Sequence, residues 1–486
     1  MSLVGRLVNR NLKALVFLAG SGAVSALIYW AALVRPCNLV ALQERTSYDL
    51  AAAGAAAPYV RLVAAFAALG LLYVLAWRNV RRVHGLAAWA HVAVGAAVPA
   101  TLLLLMYPIG AADVFADIMY GRILSLHGGN PFFDVGAAYP GDRFLPYMAW
   151  STTPAHYGPL CLLLFGLVAR LAGDGVVANV VAFKLLNVLF LAGSATLVAA
   201  TLRRAAPEWA LAGTLALVWN PIVLYETVGN GHNDIIMAFW VLLAIWCSAQ
   251  RRHTPALLAL TAGALVKIVP ALLMPAAALV ALRDLGPWRA RLRFALGTGA
   301  ACLGLAAAAY LPLWRGPASL TFFQRGAMFT TSLPAALWAA LGATERAGQL
   351  LGLAAWAAAG LFALWRAGRA MRDATWLAFP HAAYDILLFY LLCACPWLKE
   401  WYTIWPLAVA AVIPSGQALI PAVLLNYAGL AQPLIFWPLW YRAAPLPDAV
   451  RELRLGPAVM ALPWGYVVAR ALLRWRQHAA GRSAAP

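Results

Sequence analysis

Charge is what this sequence has least of. Only 11% of its 486 residues are Asp, Glu, Lys or Arg, and just 17 are acidic. A soluble chain with 64% hydrophobic residues would have to expose a largely apolar exterior and would aggregate. The composition therefore excludes a string of soluble domains, although about 150 residues per domain would otherwise allow roughly three. Cysteine is sparse as well. Cys37, Cys161, Cys247, Cys302, Cys393 and Cys395 lie mostly inside apolar stretches without paired metal-ligand spacing, so neither a disulfide framework nor a metal site is expected. Also missing is any Gly-rich phosphate loop of the Walker or dinucleotide type, and no nucleotide cofactor is expected.

What is present is long apolar runs. If about 300 residues lie in spans of about 20, there is room for roughly a dozen transmembrane helices or more. The 36 Lys and Arg give a net charge of +19, but they fall in short clusters between those runs. Examples are Arg6, Arg10 and Lys13; Arg78, Arg81 and Arg82; Arg203 and Arg204; Arg251 and Arg252; Arg366, Arg369 and Arg372; and Arg470, Arg474, Arg476 and Arg482. This is the cytoplasmic signature of the positive-inside rule, and it speaks for membrane lipids as partners and against nucleic acid. The expected molecule is an all-α polytopic protein of the plasma membrane, one integral domain over 1–486, with 12 to 14 spans and no internal repeat.

The first apolar run, Leu12 to Leu33, is too long for a signal-peptide core and reads as the first span. Runs at Tyr59 to Trp77 and Leu86 to Pro108 follow. The alternation of basic clusters then places residues 109–157 outside, as a long mixed loop of the kind that more often carries function than connection. Trp209 to Tyr225 runs outward and Ile235 to Ser248 returns. Ala256 to Leu282 begins and ends at basic clusters, which predicts a hairpin of two short segments turning near Lys267 to Pro270. A second outer loop is expected at 314–334. Leu160 to Ala172 and Val176 to Ala200 look like two crossings where parity permits an odd number, so either the first is a partial element or the second is two pieces.

In a chain this apolar, ionisable groups are informative, because each is costly in hydrocarbon unless paired or facing a wet cavity. Four clusters fall on the outer side. In the first, Asp113, Asp117 and Tyr120 share a helix face by their i, i+4, i+7 spacing, with Arg122 beside them. Neighbouring carboxylates raise one another's affinity for a proton, which suits a proton acceptor or a cation site; an ordinary acidic first turn has the same look. The second is Glu226 with Asn230, His232, Asn233 and Asp234, between two strongly apolar helices. Third comes Lys267 within an apolar segment, either snorkelling to the interface or contacting a phosphate. The fourth is Lys399, Glu400 and Tyr402, where the Lys and Glu could pair with each other. Together these suit a hydroxyl deprotonated by an Asp as it attacks a sugar C1, with a lipid phosphate leaving beside cations.

The string Asp113-Val-Phe-Ala-Asp117-Ile-Met-Tyr120-Gly-Arg122, followed by Gly129-Asn130-Pro131-Phe132, resembles the first outer loop of GT-C superfamily glycosyltransferases. The likeness is strongest to bacterial polyprenyl-phosphomannose-dependent mannosyltransferases. Tyr157-Gly158-Pro159, Trp219-Asn220-Pro221, Glu226, Asn230 to Asp234, Val266-Lys267 and Trp401-Tyr402 with Trp405 continue it in order, over roughly Asp113 to Trp405. The resemblance implies inverting transfer of a sugar, expected to be mannose, from a polyprenyl-phosphate donor to a hydroxyl of a glycolipid or polysaccharide, on the extracytoplasmic face. It maps the base onto Asp113; Asp117, which stands where the family has an aromatic residue, is read from its own surroundings as a second catalytic carboxylate, and Lys267, His232 and Lys399 are the candidates for donor-phosphate contact. Tyr120, Arg122, Tyr157, Glu226, Asn230, Asn233, Asp234, Glu400 and Tyr402 complete the expected site. The alternative reading is a multi-pass lipid or sugar transporter, with the same polar residues along a translocation path.

Overall fold

The computed structural model describes residues 3–46, 56–320, 328–432 and 456–483, and among them the chain is helical, with two isolated bridge pairs and no named strand. Residues 433–455, part of the 314–334 loop, and the side chains of the terminal basic clusters at Arg6, Arg10, Arg474, Arg476 and Arg482 lie outside what is described. In chain order, leaving aside the single turn Leu39–Leu42, the helices are α1 (Leu3–Tyr29), α2 (Ala56–Val80), α3 (Gly85–Leu104), α4 (Asp113–Ser125), α5 (Pro159–Ala172) and α6 (Val176–Ala205). They continue with α7 (Ala210–Val218), α8 (Pro221–Leu224), α9 (Asp234–Ala249), α10 (His253–Ala264), α11 (Met274–Asp284) and α12 (Trp288–Tyr310). The last are α13 (Leu333–Ala340), α14 (Glu345–Arg372), α15 (Ala378–Phe389), α16 (Ile404–Ala410), α17 (Gly416–Ala431) and α18 (Ala461–Ser483).

Six of these segments are long and apolar enough to cross a membrane: Asn11–Val34, Val60–Val80, Gly85–Leu104, Val176–Ala205, Trp288–Tyr310 and Glu345–Arg372. A seventh results if the bent pair Pro207–Val218 and Pro221–Gly229 is one broken span. Their outward faces carry large apolar side chains such as Leu189, Leu303 and Leu353, each about 70% exposed, as expected where the surrounding medium is hydrocarbon. Inward faces pack closely. Along α14, Gly348, Gly352, Ala355, Ala359, Ala363 and Ala367 form a buried stripe of small residues that lets α11 approach.

The parity question between 158 and 203 has a structural answer in helix length. Val176–Ala205 is one unbroken helix, whereas α5 has 14 residues, about 21 Å at 1.5 Å per residue and short of a hydrocarbon core of about 30 Å. Instead of crossing alone, α5 packs along α4. Their closest approach is at Gly121, where an added Cβ would stand 2.4 Å from the Phe165 carbonyl oxygen. The hairpin expected at 256–282 is present as α10 and α11, joined through Leu265–Ile268 and a tight turn at Val269–Leu273. At the centre stands α9, packed against α6, α10 and α16, with Ile235, Ile236 and Met237 fully buried. The head of this central helix is where the polar residues meet.

Candidate functional site

The chain reaches the head of α9 through a deliberate break. Asn220 ends the preceding helix: its Oδ1 accepts from the Ile222 and Val223 backbone N–H groups at 3.0 and 3.1 Å, and Pro221 fills the first turn of α8. Trp219 fixes the angle by donating from its indole to the Val92 carbonyl at 2.8 Å while its ring lies over Gly95 of α3. The two halves bend by 48°. A π-turn over Tyr225–Gly229 follows, a widened turn of the kind that gathers at functional sites, and it carries Glu226. The chain then reverses at Gly231, whose φ of +82° is a left-handed value that side chains disfavour.

Behind this reversal α6 supplies two buried polar residues. Asn187 donates to the carbonyls of Gly231 (2.9 Å) and Thr227 (3.3 Å). Lys184, fully buried, donates to the Leu103 carbonyl at 3.2 Å and to that of Met106, satisfying carbonyls at the end of α3 that its helix leaves open. In front, the segment leading into α4 docks on the same turn. The Gly110 N–H donates to Asn230 Oδ1 at 3.0 Å, and a Cβ on Gly110 would stand 2.3 Å from the Asn230 amide nitrogen, so only glycine permits the approach.

This docking brings the carboxylates of α4 to the Asn-Gly-His-Asn-Asp turn. Asn233 Nδ2 donates to Asp117 Oδ2 at 2.9 Å, and Asp117 is 1% exposed. Burial pushes the Asp117 carboxyl well above the usual carboxylate range, and the nearby charge of Asp113 adds to the push. Asp113 itself, half-buried in the first turn of α4, is the more open of the two. The Tyr157 phenol is likewise held high by burial, with the charges of Asp117 and Asp113 contributing.

Asp234, the first residue of α9, gathers the other half of the site. Its Oδ2 lies 2.7 Å from Lys267 Nζ, and its Oδ1 accepts from the Trp405 indole at 2.7 Å. The Lys267 ammonium also stands over the rings of Tyr402 (5.3 Å), Tyr157 (5.6 Å) and Trp405 (6.0 Å). The backbone before Lys267 is tied to the Tyr157-Gly158-Pro159 segment. Gly158 N–H donates to Val266 O and Leu160 N–H to Leu265 O, both at 3.0 Å, and a Cβ on Gly158 would meet Leu265 O at 2.2 Å. Two segments about 110 residues apart in the chain thus fix the lysine in place.

The fourth cluster closes the ring. His232 stacks on Trp401 with ring centres 3.7 Å apart, and its Nε2 is 3.4 Å from Glu226 Oε2, which also takes the Asn230 amide at 2.9 Å. Burial holds His232 well below its ordinary pKa, with Lys267 and Lys399 adding to the effect, so it is neutral at pH 7. The Lys399 ammonium lies over Trp397 at 4.8 Å, and Glu400 is buried. A chain of side-chain contacts secures this segment: Asn220 donates to Asn426 (3.2 Å), Asn426 to Thr403 (2.7 Å), and Thr403 to the Glu400 carbonyl (2.6 Å).

The structure thus gathers Asp113, Asp117, Tyr157, Glu226, Asn230, His232, Asn233, Asp234, Lys267, Lys399, Glu400 and Tyr402 around one point. It turns Arg122 away from there. The Tyr120 hydroxyl donates to the Thr153 carbonyl at 3.0 Å. Arg122, turned by about 140° from Asp117 on α4, forks onto buried Asp142 through Nε (2.8 and 3.1 Å) and reaches Asp174 and the Gly173 carbonyl. His127 Nε2 joins Asp142 at 2.7 Å, making a clamp for the outer loop. Lys184, Asn187 and Trp405 were not among the expected site residues. The signal for the first two was visible as a Lys and an Asn one turn apart inside an apolar run. Among the described residues no group of three or more His, Cys, Asp or Glu is placed to hold a metal.

The family profile described as "Alpha-(1->6)-mannopyranosyltransferase, N-terminal domain" matches residues 14–283. An alpha-(1->6)-mannopyranosyltransferase A of Mycobacterium tuberculosis is 27% identical over 354 residues, 66% of this chain and 65% of the relative. The protein of the same name from Corynebacterium glutamicum is 26% identical over 177 residues, 36% of this chain and 35% of the relative. The chain therefore spans between about a third and just under two thirds of these relatives' length. No solved structure matches.

Proposed function

The chain belongs to the alpha-(1->6)-mannopyranosyltransferase family, whose profile covers more than half of it, and from that premise we propose that it transfers mannose from a polyprenyl-phosphate donor to a hydroxyl of a glycolipid or glycan acceptor. The observation that carries this reading is the meeting of the α4 acids with the Asp234–Lys267 pair across the Asn233 side chain. An acid pair on one side and a ring-caged ammonium on the other is what displacement at a sugar C1 requires.

In this reading Asp113 takes the proton of the attacking hydroxyl, being the more accessible carboxylate. Asp117, whose carboxyl is pushed toward the protonated form by burial, with the charge of Asp113 adding to the push, is the partner that eases the repulsion on Asp113. Lys267 meets the negative charge growing on the phosphate as the C1–O bond breaks, held in position by Asp234 and the three rings. Lys399 and the neutral His232 stand at the same side. Base and phosphate on opposite sides of C1 give inversion, so an α-linked product, as in the relatives' names, calls for a β-linked donor.

We infer that the site lies on the extracytoplasmic face of the plasma membrane, a reading supported by basic clusters of the kind that mark cytoplasmic loops. Without α5, the six long helices, the bent pair and the other four shorter apolar helices would together supply eleven spans among the described residues, one fewer than the low end of the expected 12 to 14. The test is reconstitution in liposomes with polyprenyl-phosphate mannose and an α-mannoside acceptor. Acceptor extension with release of polyprenyl phosphate is expected. Donor crossing the bilayer without extension would replace this reading by the transporter.

A further inference from the structure

Glu226 and Glu400 are the carboxylates of the cluster to which the proposed chemistry gives no task, and Glu226 is the deeper of the two. Its side chain is 1% exposed, deeper than Asp113. One oxygen, Oε2, is committed: it accepts from Asn230 Nδ2 at 2.9 Å and faces His232 Nε2 at 3.4 Å. The other, Oε1, is buried with no hydrogen-bond partner in the protein. A buried oxygen left without a partner is costly, so its retention calls for a reason.

The surroundings make Glu226 rigid. The π-turn fixes its backbone, Asn187 holds the turn from behind through the Thr227 carbonyl, and Asn230 is itself pinned by the Gly110 N–H. Beside it the stacked His232 and Trp401 rings form a flat apolar wall. An oxygen acceptor of fixed direction next to a flat aromatic wall is a sugar-recognition arrangement: hydroxyls donate to the oxygen while the C–H face of the ring lies on the wall.

We propose that Glu226, with the His232–Trp401 stack as its wall, reads adjacent ring hydroxyls of the sugar being transferred and sets which sugar the protein accepts. The donor sugar is the occupant because it must lie between Asp113 and Lys267, and the turn that carries Glu226 joins the two: Asn230 meets the approach to α4, and Asn233–Asp234 meet Asp117 and Lys267. In that reading the acceptor hydroxyl meets Asp113, the more exposed of the two α4 carboxylates. The inference rests on the transferase reading above and extends it to donor choice.

The test is a cycle of enzyme variant against donor analogue. Polyprenyl-phosphate mannose and its 2-deoxy and 3-deoxy analogues are assayed with wild type, Glu226→Met and Glu226→Gln. Wild type should lose at least about 100-fold in kcat/KM on removal of a hydroxyl that Glu226 reads, since a site built to bond a hydroxyl strongly rejects the analogue lacking it. Glu226→Met should be slow with every donor and distinguish them by less than about fivefold. Glu226→Gln keeps the shape and covers the case in which the Met variant fails to fold; it should show a reduced preference in the same direction. If each variant is slowed yet keeps the full wild-type discrimination, or if wild type itself accepts both deoxy donors as well as mannose, the inference is overturned. Absence of transfer by wild type with any donor would instead overturn the transferase reading on which it rests.

Discussion

Removing either member of the Lys267–Asp234 pair should have unequal effects, and the structure gives the order. The side chains are 13% and 1% exposed, so both charges are largely withdrawn from water. Breaking a buried pair typically costs about 3–5 kcal/mol because one charge is left uncompensated. In Lys267→Met that charge is Asp234, which retains the Trp405 indole but no cation in contact. In Asp234→Asn it is the lysine, which keeps three aromatic faces within about 6 Å, worth about 2 kcal/mol together when desolvated. The expected losses are therefore about 3–5 kcal/mol for Lys267→Met and about 1–3 kcal/mol for Asp234→Asn. The double variant carries no stranded charge and should be more stable than Lys267→Met alone, while remaining inactive in transfer. Denaturant titration in mixed micelles, run beside a transfer assay, reads both quantities. Equal losses in the single variants, or an additive double variant, would refute the reasoning.

Further outcomes follow from the same contacts. Gly158→Ala puts a methyl 2.2 Å from the Leu265 carbonyl oxygen, and should cost about 1–3 kcal/mol by thermal denaturation while lowering transfer through displacement of Lys267. Gly231→Ala meets both a φ of +82° and the Val114 side chain at 3.0 Å, so a loss of about 1–2 kcal/mol or more is expected in the same measurement. Burial tends to raise the carboxyl of Asp142, but bonds from the Phe144 N–H, His127 and Arg122 outweigh it and hold it below its ordinary range. Its folded value is thus depressed, so its contribution is fully present above an unfolded value of about 3.9 and is lost as pH falls through the folded one. Stability measured from pH 7 down to pH 3 should decline at the acid end in wild type, and Asp142→Asn should lack that contribution.

Much of the fold was legible because the membrane makes its spans conspicuous. The α10–α11 hairpin could be read from basic clusters at both ends of one apolar run, which force an even number of passes. The α5–α6 region could not, since parity cannot say which of two apolar runs is too short to cross; helix length decides it. For the site, scarcity of charge picked out the four clusters. It could not reveal their pairing, because Asp117 meets Asn233 and Asp234 meets Lys267 and Trp405 only through long-range packing. Arg122 was grouped with the acids by sequence nearness, yet five positions along a helix turn a side chain well away, and it found Asp142. Lys184 shows the opposite case. An intramembrane lysine is a site hypothesis by default, but here backbone carbonyls at the end of α3 absorb it.

The central claim is that the α4 acids act as a base pair with unequal roles in a sugar transfer. The most direct measurement compares Asp113→Asn and Asp117→Asn for mannose transfer from polyprenyl-phosphate mannose, with donor binding measured in parallel. Asp113→Asn should lose at least about 100-fold in kcat, within the range for removing a general base, with donor binding nearly unchanged. Asp117→Asn, whose amide resembles the protonated carboxyl, should lose less than about tenfold. Full activity of Asp113→Asn, or the reverse order of the two variants, would contradict the account.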